Sequence, residues 1–147
     1  MHVLVVDDLA PFRRFVCSTL TQQPELRIVG EAADGFEAVQ KAQELQPDLI
    51  LLDIGLPKLN GIAAASRIRR LAPTAKIIFV SQHSDVEVVQ AAFSDGARGY
   101  ILKADVGREL VPAVKAVLCG EKFVSRQLGN SDAFGEPPNE PLRLITS

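Results

Sequence analysis

Five polar residues of this sequence have side chains that could together transfer a phosphoryl group: Asp7, Asp8, Asp53, Ser81 and Lys103. Grouped carboxylates bind a hard divalent cation such as Mg²⁺, which also accepts phosphate oxygens. An ammonium pairs with a phosphoryl oxygen, a hydroxyl donates to it, and a carboxylate acts as the nucleophile. Each residue alone has an ordinary interpretation as a turn former, a helix cap or a surface charge. The chemistry therefore requires a fold that brings all five together.

Continuous apolar stretches predict the elements that position these residues. They occupy residues 2–6, 27–32, 49–53, 76–81 and 99–102, and helical periodicity fills each interval between and after them. Apolar runs without alternation predict strands that are covered on both faces. Five βα units in series predict a doubly wound α/β domain, with a five-stranded parallel sheet and five helices. We expect this domain to span residues 1–122.

Helix boundaries are predicted from capping patterns and prolines. Pro11 suits the first turn of a helix, because its missing N–H is unpaired there anyway. Asp34 with Glu37, and Ser84 with Glu87, have the spacing of a capping box and predict two helix starts.

The polar residues all end or follow predicted strands. Asp7 and Asp8 follow the first strand, Asp53 ends the third, Ser81 ends the fourth and Lys103 follows the fifth. Open parallel sheets bind ligands at the carboxyl ends of their strands, where strand order reverses. In the flavodoxin-like order 2-1-3-4-5, the first and third strands are neighbours, so the three carboxylates meet. Carboxylates about 5 Å apart repel by roughly 3 kcal/mol per pair at an effective dielectric near 20, which predicts a bound Mg²⁺.

Composition narrows the function classes. The formal net charge is −2, with 47% hydrophobic and 23% charged residues, which argues against a broad nucleic-acid-binding surface. No apolar run reaches the roughly 20 residues of a membrane span, and the amino terminus has no leader pattern. We therefore expect a cytoplasmic protein that binds neither membrane nor nucleic acid directly. Cys17 and Cys119 match neither a metal-ligand spacing nor a disulfide framework, so we predict packed thiols; the alternative is a reactive thiol.

Residues 123–147 form a region rich in Gly, Pro, Ser and Asn, in which Pro137, Pro138 and Pro141 exclude a continuous helix. We expect a mobile tail. The alternative is that its apolar residues, Leu142, Leu144 and Ile145, dock on the domain or on a neighbour.

The sequence resembles the receiver domain of two-component response regulators. The resemblance rests on VVDD at 5–8, on DIGLPKLNG at 53–61, which follows the pattern D-x-x-[LM]-P-x-[LM]-[DN]-G, on FVS at 79–81 and on GYILK at 99–103. The motif GYILK, followed by GEKFVS, is similar to the sequences of the NarL-type branch. Members of that branch usually append a helix-turn-helix DNA-binding domain. That module needs several helices, which the Pro/Gly-rich residues 123–147 cannot supply. We therefore expect either a receiver without an output domain or a fragment of a DNA-binding transcriptional regulator.

The resemblance implies a CheY-like fold and a metal-dependent phosphoacceptor site. Asp53 is implied to be the phosphoacceptor. Asp8, Asp53 and the backbone carbonyl of Gly55 are implied to bind Mg²⁺, with Asp7 acting directly or through water. The phosphoryl donor is then a sensor histidine kinase or a phosphotransfer protein.

The resemblance also implies a switch. Lys103 is implied to pair with the phosphoryl group, Ser81 to move toward it after transfer, and Tyr100 to follow as the aromatic part of the switch. One possible consequence of phosphorylation is a homodimer formed through the first or fifth helix. The chain is then not an enzyme with separate substrates, and its chemistry is limited to self-phosphorylation and autodephosphorylation.

Three positions depart from the family pattern. Ala104 follows Lys103 where the family often has a proline, so the geometry of that peptide is open. Gly55 has no side chain and leaves the Asp53 phosphoryl site open to water or a partner. Gln82 is larger than the small residue usual at its position and narrows access to the same site. The two effects oppose each other, so no dephosphorylation rate is predicted.

Other functions fit the sequence less well. A haloacid-dehalogenase-type phosphohydrolase has D-x-D-x-[TV] after its first strand, whereas the acids are adjacent in VVDDLAP. A flavodoxin-like electron carrier would need a Ser/Thr-rich phosphate loop after the first strand. The remaining alternative is an interaction module that is not phosphorylated, against which the presence of every reactive group argues.

Overall fold

The computed structural model describes residues 1–129, which form a six-stranded parallel sheet with helices on both faces. The strands are β1 (His2–Val6), β2 (Arg27–Ala32), β3 (Leu49–Leu52), β4 (Lys76–Ser81), β5 (Gly99–Leu102) and β6 (Phe123–Val124). The helices are α1 (Ala10–Thr21), α2 (Gly35–Leu45), α3 (Gly61–Leu71), α4 (Val86–Ser94), α5 (Val106–Leu118) and the short α6 (Arg126–Gly129). The strand order β2-β1-β3-β4-β5-β6 confirms the flavodoxin-like class and adds one strand to the predicted five.

Two apolar layers sandwich the sheet. Alternate residues of the central strands point to opposite faces, so Leu4 and Ile50 pack beneath α2, α3 and α4, whereas Val3 and Leu51 pack beneath α1 and α5. Every residue of β3 is buried, which explains why its sequence is apolar on both faces. The carboxyl ends of the strands are therefore held rigidly at one edge.

The sixth strand lies within the region predicted to be a tail. Phe123 and Val124 pair with Gly99 and Tyr100 of β5, and Leu128 packs into the core on the α4 side. Packing thus continues past the expected boundary at residue 122. A two-residue strand carries no periodicity of its own, and its stability comes from pairing with β5.

One of the two predicted helix starts is present, with Asp34 as the N-cap and one of the two capping-box bonds formed. The Asp34 carboxylate accepts from the Glu37 N–H at 2.8 Å, and Glu37 accepts from the Ala33 N–H. The prediction of a helix start at Ser84 was wrong: α4 begins at Val86, after Asp85. The preceding loop is held by distant contacts instead, described below.

Residues 130–147 lie outside the described residues, and with them both the expected mobile tail and the alternative docking of Leu142, Leu144 and Ile145. Within residues 1–129, none of the helices combines the length and the apolar character needed to cross a bilayer.

Candidate functional site

The three predicted carboxylates lie together where β1 and β3 end side by side. The Asp53 N–H donates to the Val6 carbonyl at 3.1 Å, which places Asp53 level with Asp7. One carboxylate oxygen from each of Asp7, Asp8 and Asp53 lies within 4.8 Å of the others. Asp7 and Asp53 are buried, and Asp8 is exposed. The cluster thus has a dry side and an open side.

Lys103 provides the positive charge of this cluster. Its ammonium Nζ lies 2.8 Å from Asp7 Oδ2 and 3.3 Å from Asp53 Oδ2, and only 14% of its side chain is exposed. Lys103–Asp105 form a single 3₁₀ turn that leads from β5 into α5. No peptide bond of the described residues is cis, so the bond before Ala104 is trans.

Burial and neighbouring charges perturb the site's titration. Desolvation raises the pKa of Asp53, with a further rise from the Asp7 charge, and the Lys103 ammonium opposes it only in part. Burial alone would lower the pKa of Lys103. The hydrogen bond to Asp7 and the charge of Asp53 outweigh it, so the pKa of Lys103 lies above its ordinary value. Both shifts indicate a carboxylate cluster that lacks sufficient positive charge.

The donor set fits a hard divalent cation. Three carboxylates at this separation, with Asp8 open to solvent, match the oxygen ligands and retained waters that Mg²⁺ prefers. Gly55 is exposed, and its N–H donates to Asp53 Oδ1 at 3.3 Å. A Cβ on Gly55 would meet nothing within 4 Å, so this side of the site is open, as predicted.

Glycine packing fixes the loop that follows Asp53. The Gly61 N–H donates to the Ile54 carbonyl at 2.7 Å, and a Cβ on Gly61 would lie 2.0 Å from the Asp53 carbonyl oxygen. A Cβ on Gly35 would lie 1.8 Å from the Leu59 carbonyl oxygen. Only glycine permits these close approaches, so the sequence from Asp53 to Gly61 specifies the backbone beneath the acid.

Ser81 and Tyr100 meet at the β4–α4 loop. The Ser81 side chain is buried, and its Oγ accepts from the His83 N–H at 3.1 Å. Tyr100 is also fully buried, and its hydroxyl donates to the His83 carbonyl at 2.7 Å. Desolvation raises the pKa of Tyr100, so the phenol keeps its proton at neutral pH. These contacts hold residues 82–84 as a loop and explain why no helix starts at Ser84.

Residues 3–115 match the family model of the response regulator receiver domain. The chain belongs to this family.

Known relatives agree with this assignment. This receiver domain is 36% identical over 132 residues to the oxygen regulatory protein NreC of Staphylococcus epidermidis, covering 89% of this chain and 61% of NreC. It is 34% identical to the transcriptional regulatory protein DegU of Brevibacillus brevis, covering 84% of this chain and 52% of DegU. The chain thus spans between half and two thirds of the length of these two relatives.

Solved structures show the same fold. A LuxR-family two-component response regulator from an Aurantimonas species superposes with a TM-score of 0.84 at 32% identity, covering 88% of this chain and 92% of that one. The signal receiver domain of a NarL regulator from Mycobacterium tuberculosis gives 0.77 at 32% identity, covering 82% and 97%. The resemblance to the NarL-type branch seen in the sequence is confirmed.

Sequence reasoning missed two neighbours of the receiver site on α1. The Phe12 ring centroid lies 4.7 Å from Lys103 Nζ. Arg13 donates to the Asp7 carbonyl at 2.6 Å and pairs with Glu31 at 2.8 Å. The helical spacing of Phe12, Val16 and Leu20 indicates a core position for Phe12, where it does pack in part, and nothing in the sequence indicates its contact with Lys103.

Sequence reasoning also missed a polar link to the sixth strand. Ser125 is fully buried; its N–H donates to the Tyr100 carbonyl at 2.8 Å, and its Oγ accepts from the Leu102 N–H at 2.9 Å. The Ser125 hydroxyl donates to Glu109 Oε1, and Glu109 Oε2 accepts from the Arg126 N–H. The residues after α5 are therefore bonded to the strand that carries Tyr100 and leads into Lys103.

Proposed function

We propose that this receiver domain accepts a phosphoryl group on Asp53 from a phosphohistidine of a histidine kinase or phosphotransfer protein, and that the modification changes its affinity for a partner or a second copy. The observation that carries the proposal is the placement of Asp53. Its carboxylate lies at the end of a fully buried strand, within reach of Lys103 and beside two further carboxylates. A purely structural role would not require this uncompensated negative charge.

In the proposed transfer, an Asp53 carboxylate oxygen attacks phosphorus. A P–O bond forms while the P–N bond of phosphohistidine breaks, and the imidazole nitrogen leaves with the bonding electrons. A small acyl phosphate would react in the same way, with its own P–O bond breaking. Lys103 lies against Asp53 Oδ2, so its ammonium can pair with a phosphoryl oxygen as negative charge arrives.

The site is proposed to need Mg²⁺. Asp8 and Asp53 would hold the ion, with the Gly55 carbonyl and with Asp7 directly or through water. When bound, the cation neutralises the carboxylates and binds phosphoryl oxygens, which is the usual role of Mg²⁺ in phosphoryl transfer. Without it, a phosphoryl group of about −1.5 to −2 charge would have to enter an already acidic cluster.

The proposed switch uses Ser81 and Tyr100. A phosphoryl group on Asp53 offers new acceptor oxygens, which favours release of the Ser81 Oγ from the His83 N–H and its rotation toward the site. Tyr100 holds the carbonyl of the same His83, so the two groups share one loop. The affected surface would span α4, β5 and α5. The size of such a coupling is typically about 1–3 kcal/mol.

The test is phosphorylation by a small donor. We expect incubation with Mg²⁺ and acetyl phosphate to add the mass of one phosphoryl group to the intact chain, and Asp53→Asn to add none. Omission of Mg²⁺ or addition of a chelator should prevent the gain. The chemistry proposed for the chain alone is this self-phosphorylation and its hydrolysis, with no separate substrate.

Asp85→Asn provides a matched control. Asp85 is exposed and its carboxylate makes no capping hydrogen bond, so its loss should leave the mass gain intact. An unmodified wild-type chain, or an equal gain in Asp53→Asn, would rule out the proposal. Unmodified protein that binds its partner without Mg²⁺ would favour the interaction module instead.

A second candidate follows from the relatives. DegU is named a transcriptional regulatory protein, and this chain covers 52% of its length. We infer that the phosphorylated domain acts on transcription through a DNA-binding partner or domain rather than through its own surface. A reporter assay in which Asp53→Asn abolishes the response to phosphorylation would support this role, and an unchanged response would exclude it.

A further inference from the structure

Lys103 has an aromatic neighbour as well as two carboxylate neighbours. Its Nζ lies 2.8 Å from Asp7 Oδ2, 3.3 Å from Asp53 Oδ2 and 4.7 Å from the centroid of the Phe12 ring. An ammonium within about 6 Å of a ring centroid is attracted by the negative face of the ring. The attraction is stronger where water is excluded, and only 14% of the Lys103 side chain is exposed.

The first turn of α1, which carries Phe12, is tied to the acidic cluster. The Phe12 side chain packs against the apolar layer beneath α1 and α5. The start of α1 is tied to Asp7, because Asp7 Oδ1 accepts from the Leu9 N–H at 2.9 Å and the Asp7 carbonyl accepts from Arg13. The backbone that carries Phe12 is therefore held beside the acidic cluster, and the partly buried ring packs next to Lys103.

The ring face offers Lys103 a partner of a different kind from the two carboxylates. A cation bound by Asp7 and Asp53 would take carboxylate oxygens that now contact Lys103, and its charge would repel the ammonium. A lysine side chain has a flexible stem and loses its fixed position when its ion pairs weaken. The Phe12 ring face does not bind a hard cation, so its contact with Lys103 persists when the carboxylates change partners.

Resting on the proposed function, we propose that Phe12 is a positioning residue for phosphoryl transfer: its ring face holds the Lys103 ammonium beside Asp53, where that ammonium meets the incoming phosphoryl group. The role depends on the electron density of the ring and not only on its volume. Packing and positioning can therefore be separated by experiment.

The test replaces Phe12 with mono-, tri- and pentafluorophenylalanine and, separately, with leucine. Successive fluorines withdraw charge from the ring face while keeping its shape and apolar character. We expect the rate of phosphorylation by acetyl phosphate, at fixed Mg²⁺, to fall stepwise across the series. The total fall should be about threefold to tenfold for the pentafluoro and Phe12→Leu proteins. Phe15→Leu is the control on α1: Phe15 is exposed and its ring contacts that of Phe12 at 6.5 Å between centroids, so this variant shows what loss of a neighbouring ring alone does to the rate.

A second measurement needs no phosphorylation. A proton over a ring face is shifted upfield, so the ε-methylene protons of Lys103 should show a ring-current shift in the NMR spectrum of wild type, both with and without Mg²⁺. The shift should be lost in Phe12→Leu and kept in Phe15→Leu. Its persistence in Phe12→Leu would overturn the assignment of the contact.

The outcomes separate this inference from the proposed function. If wild type takes up no phosphoryl group, both fail. If wild type is phosphorylated and the pentafluoro protein reacts at the same rate, Phe12 serves packing alone and only the positioning role is overturned. A graded fall, with Phe15→Leu unchanged, supports it.

Discussion

Asp53→Asn should stabilise the fold at neutral pH when no divalent cation is present. The Lys103 ammonium, 3.3 Å from Asp53 Oδ2, attracts that carboxylate by about 5 kcal/mol at an effective dielectric near 20. An Asp7 oxygen within 4.8 Å repels it by about 3.5 kcal/mol at the same dielectric. These two terms leave a small net attraction. Desolvation of a buried carboxylate costs several kcal/mol and makes the charged Asp53 destabilising overall, in agreement with its raised pKa. We expect a gain of about 1–2 kcal/mol in the free energy of unfolding.

The pH dependence has a definite sign. Because the folded pKa of Asp53 lies above its unfolded value of 3.8, the folded state holds the proton more tightly. The penalty of the charged carboxylate is therefore absent below the unfolded pKa. It grows as pH rises through the folded pKa and is complete above it. The advantage of Asp53→Asn should be present at pH 7 and should vanish as pH falls below 3.8.

Urea and thermal unfolding with a chelator present would measure this advantage. A gain of about 1–2 kcal/mol corresponds to roughly 3–6 °C in Tm for a domain of this size. Added Mg²⁺ should close the gap, because wild type binds the cation more tightly than the variant. Asp85→Asn, an exposed matched control, should change stability by less than about 0.5 kcal/mol. If Asp53→Asn were no more stable than wild type at pH 7 without Mg²⁺, the electrostatic reasoning would be refuted.

Three further changes test other parts of the site. Lys103→Met leaves buried carboxylates without their ammonium partner. It should lower the free energy of unfolding by about 3 kcal/mol at pH 7 in urea titrations, and Mg²⁺ should restore part of the loss. No loss would contradict a stabilising role of the ion pairs. Gly61→Ala should lower the free energy of unfolding by about 2 kcal/mol or more, because its Cβ would lie 2.0 Å from a carbonyl oxygen. A Cβ on Gly107 would meet nothing within 4 Å, so Gly107→Ala should be neutral or stabilising. Equal changes in Tm in the two variants would exclude the steric explanation. Ser125→Ala leaves the Leu102 N–H without its Ser125 acceptor and should lower the free energy of unfolding by about 1–3 kcal/mol. The amide hydrogen of Leu102 should then exchange faster. Unchanged exchange at Leu102 would mean that this hydrogen bond does not stabilise the strand.

The central architecture could be predicted because local signals agreed with the global fold. The apolar runs at 2–6, 27–32, 76–81 and 99–102 have the bounds of the observed strands, and burial on both faces explains their lack of alternation. The convergence of Asp7, Asp53 and Lys103 followed from strand order alone, since parallel strands deliver their carboxyl ends to one edge.

Features that depend on distant contacts could not be predicted. Phe123 and Val124 form a strand only because β5 pairs with them, and α4 starts late because Tyr100 and Ser81 hold the preceding loop. The contact of Phe12 with Lys103 joins two elements far apart in the chain, and the helical period accounts for Phe12 by packing alone.

The residue that carries the phosphoryl group can be identified directly by chemical trapping. Protein treated with acetyl phosphate and Mg²⁺ is reduced with borohydride, which converts an aspartyl phosphate to homoserine, and is then digested and sequenced by tandem mass spectrometry. If Asp53 is the phosphoacceptor, homoserine will be found at position 53 and at no other aspartate, and none will form when Mg²⁺ is omitted. Homoserine at position 7 or 8, or its absence from a chain that has gained phosphoryl mass, would contradict this assignment.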